Sequence, residues 1–545
     1  VLRGVRDPTR VRPQGGGAQS LRGIWTAAAL IVRQTRVLLL LWCVGVPAIA
    51  TAAAVSVGGL YPPGPQRQAY AQVTEGLPAA HALNGPARGL DSHGGIFVFE
   101  AGWYLALAVA VMAITTMGYS TRGQEQSGRL ELLRARRFGR HADLGAAVLV
   151  TAAVAVVIAV AAAVGVGLAA GDLRGGMAYG AALLGTGLFF AALTAVAAQL
   201  TEHARGTYTI AGFALAASFA LRAIGDGTAT GAISWLSPLG WSQGIHPFAE
   251  NRPWPLLLSL SAAAVLLAVA VAVEERRDLG SGVFGARAGR TGAVPGAQRP
   301  WRLAVRLARG TTLGWGATAA GLGVAFGAVT VEMGQVAQSS RAVLDLIGGF
   351  GGADVLSSFL AMAALISALL AAGATLAVAL APARDEQAGR ADLILARRMG
   401  RSRWLAGHAG AAATTGLLVL VAGGTGIGAA HAFRTGDAGQ LWRCAVATIA
   451  HLPALLTFLG VALLLYGWFP RRTTWVWLGY AVTAVIALLG RTLRLPGAAL
   501  DLSPFEHSPR LFETDPSAWG AVFCVVVAIA AAMSGFLGFR RRDLV

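Results

Sequence analysis

The feature that most constrains this chain is a series of apolar runs, each about twenty residues or more without a charge, recurring through both halves. A run of that length matches the hydrocarbon thickness of a bilayer crossed as an α-helix. Inside that layer every backbone polar group needs a partner within its own segment, so the runs fold as helices rather than as an open sheet. They predict spans near 37–58, 97–119, 144–170, 177–199, 207–221 and 253–273, and near 311–331, 355–381, 405–430, 444–469, 473–490 and 518–538. Composition agrees: 55% of residues are hydrophobic and 13% charged, against about 25% charged in soluble domains. The expected fold class is an all-α polytopic membrane protein of about twelve transmembrane helices, as two homologous six-helix halves.

The halves announce themselves in two polar segments set between apolar runs. EQSGRLELLRARRFGR, Glu125 to Arg140, repeats without a gap as EQAGRADLILARRMGR, Glu386 to Arg401. Glu125, Gln126, Gly128, Arg129 and Arg136 meet Glu386, Gln387, Gly389, Arg390 and Arg397, and Glu131 meets Asp392. Repetition at this density marks an internal duplication. Each copy reads as a helix, with Glu125/Arg129 and Glu386/Arg390 as i,i+4 pairs in the favoured acid-first order. Leu132, Ala135 and Phe138, like Leu393, Ala396 and Met399, leave an apolar stripe at helical spacing. One copy alone would read as a solvated helix beside the membrane; duplicated acids and glycines point instead to a docking surface for a partner.

The basic residues carry a chemical exclusion. All 44 are arginine, so the net charge of +18 contains no lysine. A P-loop needs its lysine to reach the terminal phosphates of ATP. The chain therefore holds no ordinary ATP-hydrolysing domain, carries no cofactor of its own, and is read as a non-enzyme. Cys43, Cys444 and Cys524 fall in apolar runs without metal-ligand spacing and read as buried thiols. Basic residues spread over membrane-flanking loops, rather than one patch, argue against nucleic acid.

Residues 1–20 are Arg/Gly/Pro-rich and are expected to be disordered, without the pattern of a cleaved signal peptide. The first half is placed at 21–278, a Gly-rich linker at 279–300 and the second half at 301–545. Leu21 to Arg36 sets Ile24, Trp25 and Leu30 beside Arg22, Arg33 and Arg36, the pattern of an interfacial helix lying along the membrane. PWRLAVRLARG, with Arg302, Arg306 and Arg309 on one face, opens the second half in the same way. Most arginines fall on one side if both termini are cytoplasmic, the orientation that arginine bias favours.

The repeat extends further. Each half has a short fifth span followed by Ser-Pro, at Ser237-Pro238 and Ser503-Pro504. An aromatic and acidic stretch follows, Phe248-Ala249-Glu250 and Phe512-Glu513, and each half closes on Arg-Arg-Asp-Leu, at Arg276–Leu279 and Arg541–Leu544. Short spans at matching places in two halves point to functional regions in transporters, so the Ser-Pro segments are read as an external gate. Ionisable residues within spans are few: Glu100, His408 and His451. Such groups are functional candidates by default, Glu100 first, with His451 expected to be satisfied by a neighbouring helix.

An interfacial helix, a long charged helix between spans two and three, and a polar external segment between spans five and six resemble the permease of type-2 ABC exporters. The fused double form, with E-Q-x-G-R-x-[ED]-L in each half, resembles the actinobacterial polyketide or tetronasin-type antibiotic and multidrug exporters. The resemblance implies a coupling helix between the second and third spans of each half. Two copies of a separate ABC ATPase subunit, holding ATP and Mg, would dock there. It implies a bacterial cell membrane and export of hydrophobic or amphiphilic small molecules along spans one, two and five of each half. Aromatic and Met candidates for that path are Trp103, Tyr104, Met112, Phe213 and Phe219, with Phe359, Met362, Trp475, Trp477 and Tyr480 in the second half, and Glu100 is placed at its outer end. Arg134 is replaced by Leu395, so the two docking helices need not be equivalent.

Two other readings compete. A proton-coupled major-facilitator transporter also has six plus six spans, but its loop motif is shorter, and this sequence places no deep acid for a proton relay. A polytopic membrane transferase would need His246, Glu250, His507 and Glu513 as acid/base pairs, and no metal or nucleophile spacing accompanies them.

Overall fold

The computed structural model describes residues 20–75, 81, 84–126, 139–226, 231–277, 282–283, 300–330, 354–387, 389–395, 400–490, 495–509 and 518–542. Among the described residues every regular element is helical. The chain divides into two compact units, Val1–Ala288 and Gly289–Val545.

In the first unit, α1 (Ile24–Leu60) leads through the short α2 (Pro65–Glu75) to α3, a helical run over His93–Gln126. Then come α4 (Ala142–Ala170), α5 (Leu173–Leu200), α6 (Ala204–Asp226), the short α7 (Pro238–Gln243) and α8 (Trp254–Arg276). The second unit holds α9 (Pro300–Ala328), α10 (Val355–Gln387), the short α11 (Arg390–Leu395), α12 (Arg401–Thr435) and α13 (Gly439–Trp468). It closes with α14 (Trp475–Leu489), α15 (Gly497–Leu500) and α16 (Trp519–Arg541). Among the described residues ten helices are long and apolar enough to cross a membrane, and α9 and α14 occupy the two remaining expected positions. All twelve expected spans fall on helices.

Two expectations need correction. The interfacial helix and first span are not separate: α1 is a single helix of 37 residues, about 55 Å long. No Gly or Pro intervenes between Ile24 and Cys43 to break it, and Thr35, at the expected junction, is buried and bonded to the carbonyl of Ile31. In the second unit α9 likewise runs unbroken from Pro300 through the three arginines. Conversely, the second polar segment is not one helix: α10 ends at Gln387, and Gly389 turns the chain with φ +67. A side chain rarely adopts that region, so glycine fits the break.

Each unit packs in the same order. The first spanning helix lies on the third, α1 on α4 and α9 on α12, and the fourth on the sixth, α5 on α8 and α13 on α16. Small residues allow the closeness. A Cβ at Gly467 of α13 would stand 2.1 Å from the carbonyl oxygen of Gly535 on α16. Gly460 meets Ala528 in the same way one heptad earlier. Helices pack in membranes through such small-residue contacts. α3 carries two π-helical turns, Val98–Gly102 and Tyr119–Gly123. Turns of this kind recur at functional positions, and these two hold Glu100 and Arg122.

Candidate functional site

The duplicated segment is pinned at its ends to the end of the unit's last helix. In the first unit the Glu125 carboxylate accepts two hydrogen bonds from Arg277, at 2.8 and 3.1 Å. In the second, Glu386 accepts two from Arg542, at 2.6 and 2.7 Å. Arg277 and Arg542 are each the second arginine of the closing Arg-Arg-Asp-Leu, so two separate repeats of the sequence prove to be the two sides of one clamp. Both glutamates are buried, with side chains 7% and 8% exposed. Bidentate arginine–carboxylate pairing adds directionality to charge. The far end of each segment is tied as well: Arg140 donates to the carbonyl of Glu275 at 2.6 Å, and Arg401 to that of Arg542 at 2.8 Å. In the first unit His141 also lies 2.7 Å from Glu274.

The two clamps differ in their third member. Arg122, itself buried, reaches Glu125 at 2.8 Å and the carbonyl of Ala198 at 2.7 Å. Ala383 takes its place in the second unit. There the Tyr466 hydroxyl donates to Glu386 at 2.8 Å, and the Arg542 guanidinium lies 4.9 Å from the Tyr466 ring centre. Beside this clamp opens a cleft of about 500 Å³, lined among others by Gln387, Trp468, Phe469, Pro470, Arg471 and Arg472.

These contacts revise the expected pairing. Glu386 bonds Arg542 rather than Arg390, and Arg390, 61% exposed, pairs with Asp385 at 2.7 Å. Gln126 accepts from the backbone N–H of Ala204 at 3.3 Å, Gly389 forms the turn, and Asp392 lies on α11. Gly128, Arg129, Glu131, Arg136 and Arg397 lie outside the described residues. The clamp was missed because its partners are 152 and 156 residues apart in sequence; the signal was there in the joint duplication of both motifs.

The Ser-Pro segments form a second repeated joint. The Ser237 hydroxyl donates to the carbonyl of Ser218 on α6 at 2.7 Å and caps α7, whose first residue is Pro238. Ser503 donates to the carbonyl of Thr483 on α14 at 3.1 Å. Both serines are fully buried, and the Pro504 carbonyl accepts from the Cys524 thiol at 3.7 Å. Each serine fastens the loop to the fifth spanning helix. Ser237→Ala, which loses both a buried hydrogen bond and a cap, is expected to cost about 1–2 kcal/mol. Ser503→Ala should cost less, having no cap to lose. Thermal unfolding of the purified variants reads both effects.

Of the expected path residues, Trp103, Tyr104 and Phe219 come together, lining one narrow cleft with Leu107, Arg222, Leu239 and Gln243. Tyr480 contacts the rings of Trp477 and Phe458 and donates to the Leu369 carbonyl at 2.8 Å. Others lie apart from this cleft. Met112 is fully buried in the first unit's core, Phe359 packs on Phe326, Met362 is half-buried on α10, and Phe213 and Trp475 are exposed. Glu100 accepts a hydrogen bond from the Tyr70 hydroxyl of α2, so its carboxylate holds α2 against α3. His451 donates to the carbonyl of Ala447 in its own helix, at 3.2 Å. His408 packs on Trp404.

Of the acid/base pairs a transferase would need, the first comes together and the second lies only partly within the described residues. His246 pairs with Glu250 at 2.7 Å, and burial holds its imidazole below the usual histidine range. His507 lies in the other unit, 2.9 Å from the Asp501 carbonyl, and Glu513 lies outside the described residues. Among the described residues no group of acids, histidines and cysteines could hold a metal ion, and the three cysteines are free.

Comparison with known proteins decides the family. The domain family described as the C-terminal domain of the multidrug efflux system permease Rv1217c matches residues 25–273 and 298–540. The chain is 36% identical over 543 residues to the multidrug efflux system permease protein Rv1217c of Mycobacterium tuberculosis, covering 98% of each. The chain belongs to this family of multidrug efflux permeases. It is thus a membrane efflux permease and a transporter component. One domain description matching both units agrees with the repeated clamp and the repeated Ser-Pro joint, which are contacts of a duplicated fold.

Proposed function

We propose that this permease is the membrane subunit of an ATP-driven exporter of hydrophobic or amphiphilic small molecules, antibiotics and drugs among them. Two copies of a separate ATPase subunit, carrying ATP and Mg, dock on the duplicated segments after the second spanning helix of each unit. Those segments and both termini face the cytoplasm of a bacterial cell. The observation that carries this reading is the clamp: each segment is held at its ends to the end of the last spanning helix. A docked body that pushes on such a segment moves the helix with it, whereas a segment tied only to its own neighbours would absorb the push. The cleft beside Glu386, with its aromatic wall and exposed Arg471 and Arg472, gives a partner a surface to engage.

The test is charge reversal at the matching arginine of each segment. Arg390→Glu, and Arg129→Glu in the first unit, should weaken association with the ATPase subunit and reduce cargo-stimulated ATP hydrolysis while leaving membrane insertion and thermal stability unchanged. Normal association and coupling in both variants would overturn the docking role.

A further inference from the structure

Arg222 lies in the last turns of α6, 2% exposed, with its guanidinium 4.5 Å over the Phe219 ring. An ion-pair partner, Asp226, stands one turn on, at a loose 3.7 Å. Gln243 of α7 links them once its amide is turned so that both ends are satisfied, the nitrogen then 2.9 Å from the Asp226 carboxylate and the oxygen 3.0 Å from Arg222. A charged side chain in a spanning helix is costly and marks function by default. The first question is whether the fold requires this one.

The duplication answers it. The second unit makes the same joint, Ser503 to the Thr483 carbonyl, where the first has Ser237 to the Ser218 carbonyl. Four residues beyond each accepting carbonyl stand Arg222 in one unit and Ala487 in the other. Eight residues beyond, Asp226 is matched by Arg491 in the sequence. The joint therefore forms without the acid–base pair, and the pair belongs to something only the first unit does.

What it does is set by which member faces the cleft. Arg222 lines it together with Trp103, Tyr104 and Phe219, and Asp226 does not. The cleft thus presents aromatic walls and a cation. Its free volume is about 10 Å³, room for about one water, so this is a closed state that must widen to admit cargo. An arginine takes a carboxylate or related acid in bidentate fashion, and its planar face stacks on aromatic groups.

We propose that Arg222 is a specificity-determining residue of the first unit, which binds the acidic group of an amphiphilic cargo while Trp103, Tyr104 and Phe219 hold its apolar body. Asp226 is the internal counter-ion that the cargo's acid displaces. This rests on the export reading above, but its test needs no ATPase, so the two can fail separately.

The full chain in lipid nanodiscs is titrated with pyrenebutyric acid and with its methyl ester, binding being read by energy transfer from tryptophan to pyrene. The wild type should prefer the acid. Arg222→Gln should weaken acid binding by about tenfold or more, the loss of a charge-assisted hydrogen bond, and leave ester binding unchanged. Arg222→Lys should retain part of the preference, and Asp226→Asn, by releasing Arg222, should strengthen acid binding. A purely structural pair predicts that Arg222→Gln and Asp226→Asn weaken both ligands alike. That result, or a wild type without preference for the acid, would overturn the inference.

Discussion

Replacing Arg542 by alanine is expected to destabilise the second unit by about 3–5 kcal/mol, the cost of leaving a buried carboxylate without its ion-pair partner. Glu386 then loses both guanidinium hydrogen bonds, while the Tyr466 hydroxyl at 2.8 Å is retained. Packing is lost as well, because the Arg542 guanidinium sits 4.9 and 5.2 Å from the ring centres of Tyr466 and Phe539. Arg277→Ala in the first unit should cost less, since Arg122 still reaches Glu125 at 2.8 Å. Removing both charges together, as in E386M/R542M, should recover much of the loss, as it does when a buried pair is replaced by apolar groups of similar size. Unfolding in a fixed detergent, compared across the three variants and the wild type, reads the order. Equal effects of Arg542→Ala and Arg277→Ala would show that the third member of each clamp contributes nothing.

The second large effect is expected at Gly467. A Cβ there would stand 2.1 Å from the carbonyl oxygen of Gly535, and one at Gly535 would stand 2.4 Å from backbone atoms of Leu463. These obstacles are backbone, so no rotamer change relieves them. Gly467→Leu must force α13 and α16 apart, at the upper end of the 1–3 kcal/mol, or roughly more, that overpacking costs. Because Arg542 follows directly on α16, separation should also loosen the clamp. The coupling between Glu386 and Arg542 in a double-mutant cycle should shrink in the Gly467→Leu background. Gly314 of α9 has nothing within 4 Å of its added Cβ. Gly314→Ala is therefore the control and should be neutral or slightly stabilising.

Apolar run length placed all twelve spans on helices, because a bilayer leaves the backbone no other way to satisfy itself. It did not place the junctions. The stretch Leu21–Arg36 has the composition of an interfacial helix, yet composition along a helix does not terminate it, and α1 runs through. Gly389 was visible as a glycine but was read as part of a duplicated helix, whereas its positive φ makes it a break. The duplicated motifs were legible as sequence, but their partnership was not: Glu125 reads naturally as pairing with Arg129 one turn away, while folding brings it Arg277. Arg222 went unnoticed because a lone arginine near the end of an apolar run looks like a loop residue. Only the packing of Trp103, Tyr104 and Phe219 around it, and Ala487 in the matching place, set it apart.

The central claim is that energy enters this permease from an ATPase through the two clamped segments. Its most direct measurement is transport in proteoliposomes holding the permease and its ATPase subunits, with a fluorescent amphiphile carrying an acidic group and its neutral ester as cargo. The prediction is directional movement that requires ATP and Mg on the side of the duplicated segments and persists after the proton gradient is collapsed. It should be lost in the variant carrying both Arg129→Glu and Arg390→Glu. Transport by the permease alone, driven by a pH gradient without nucleotide, would contradict the account.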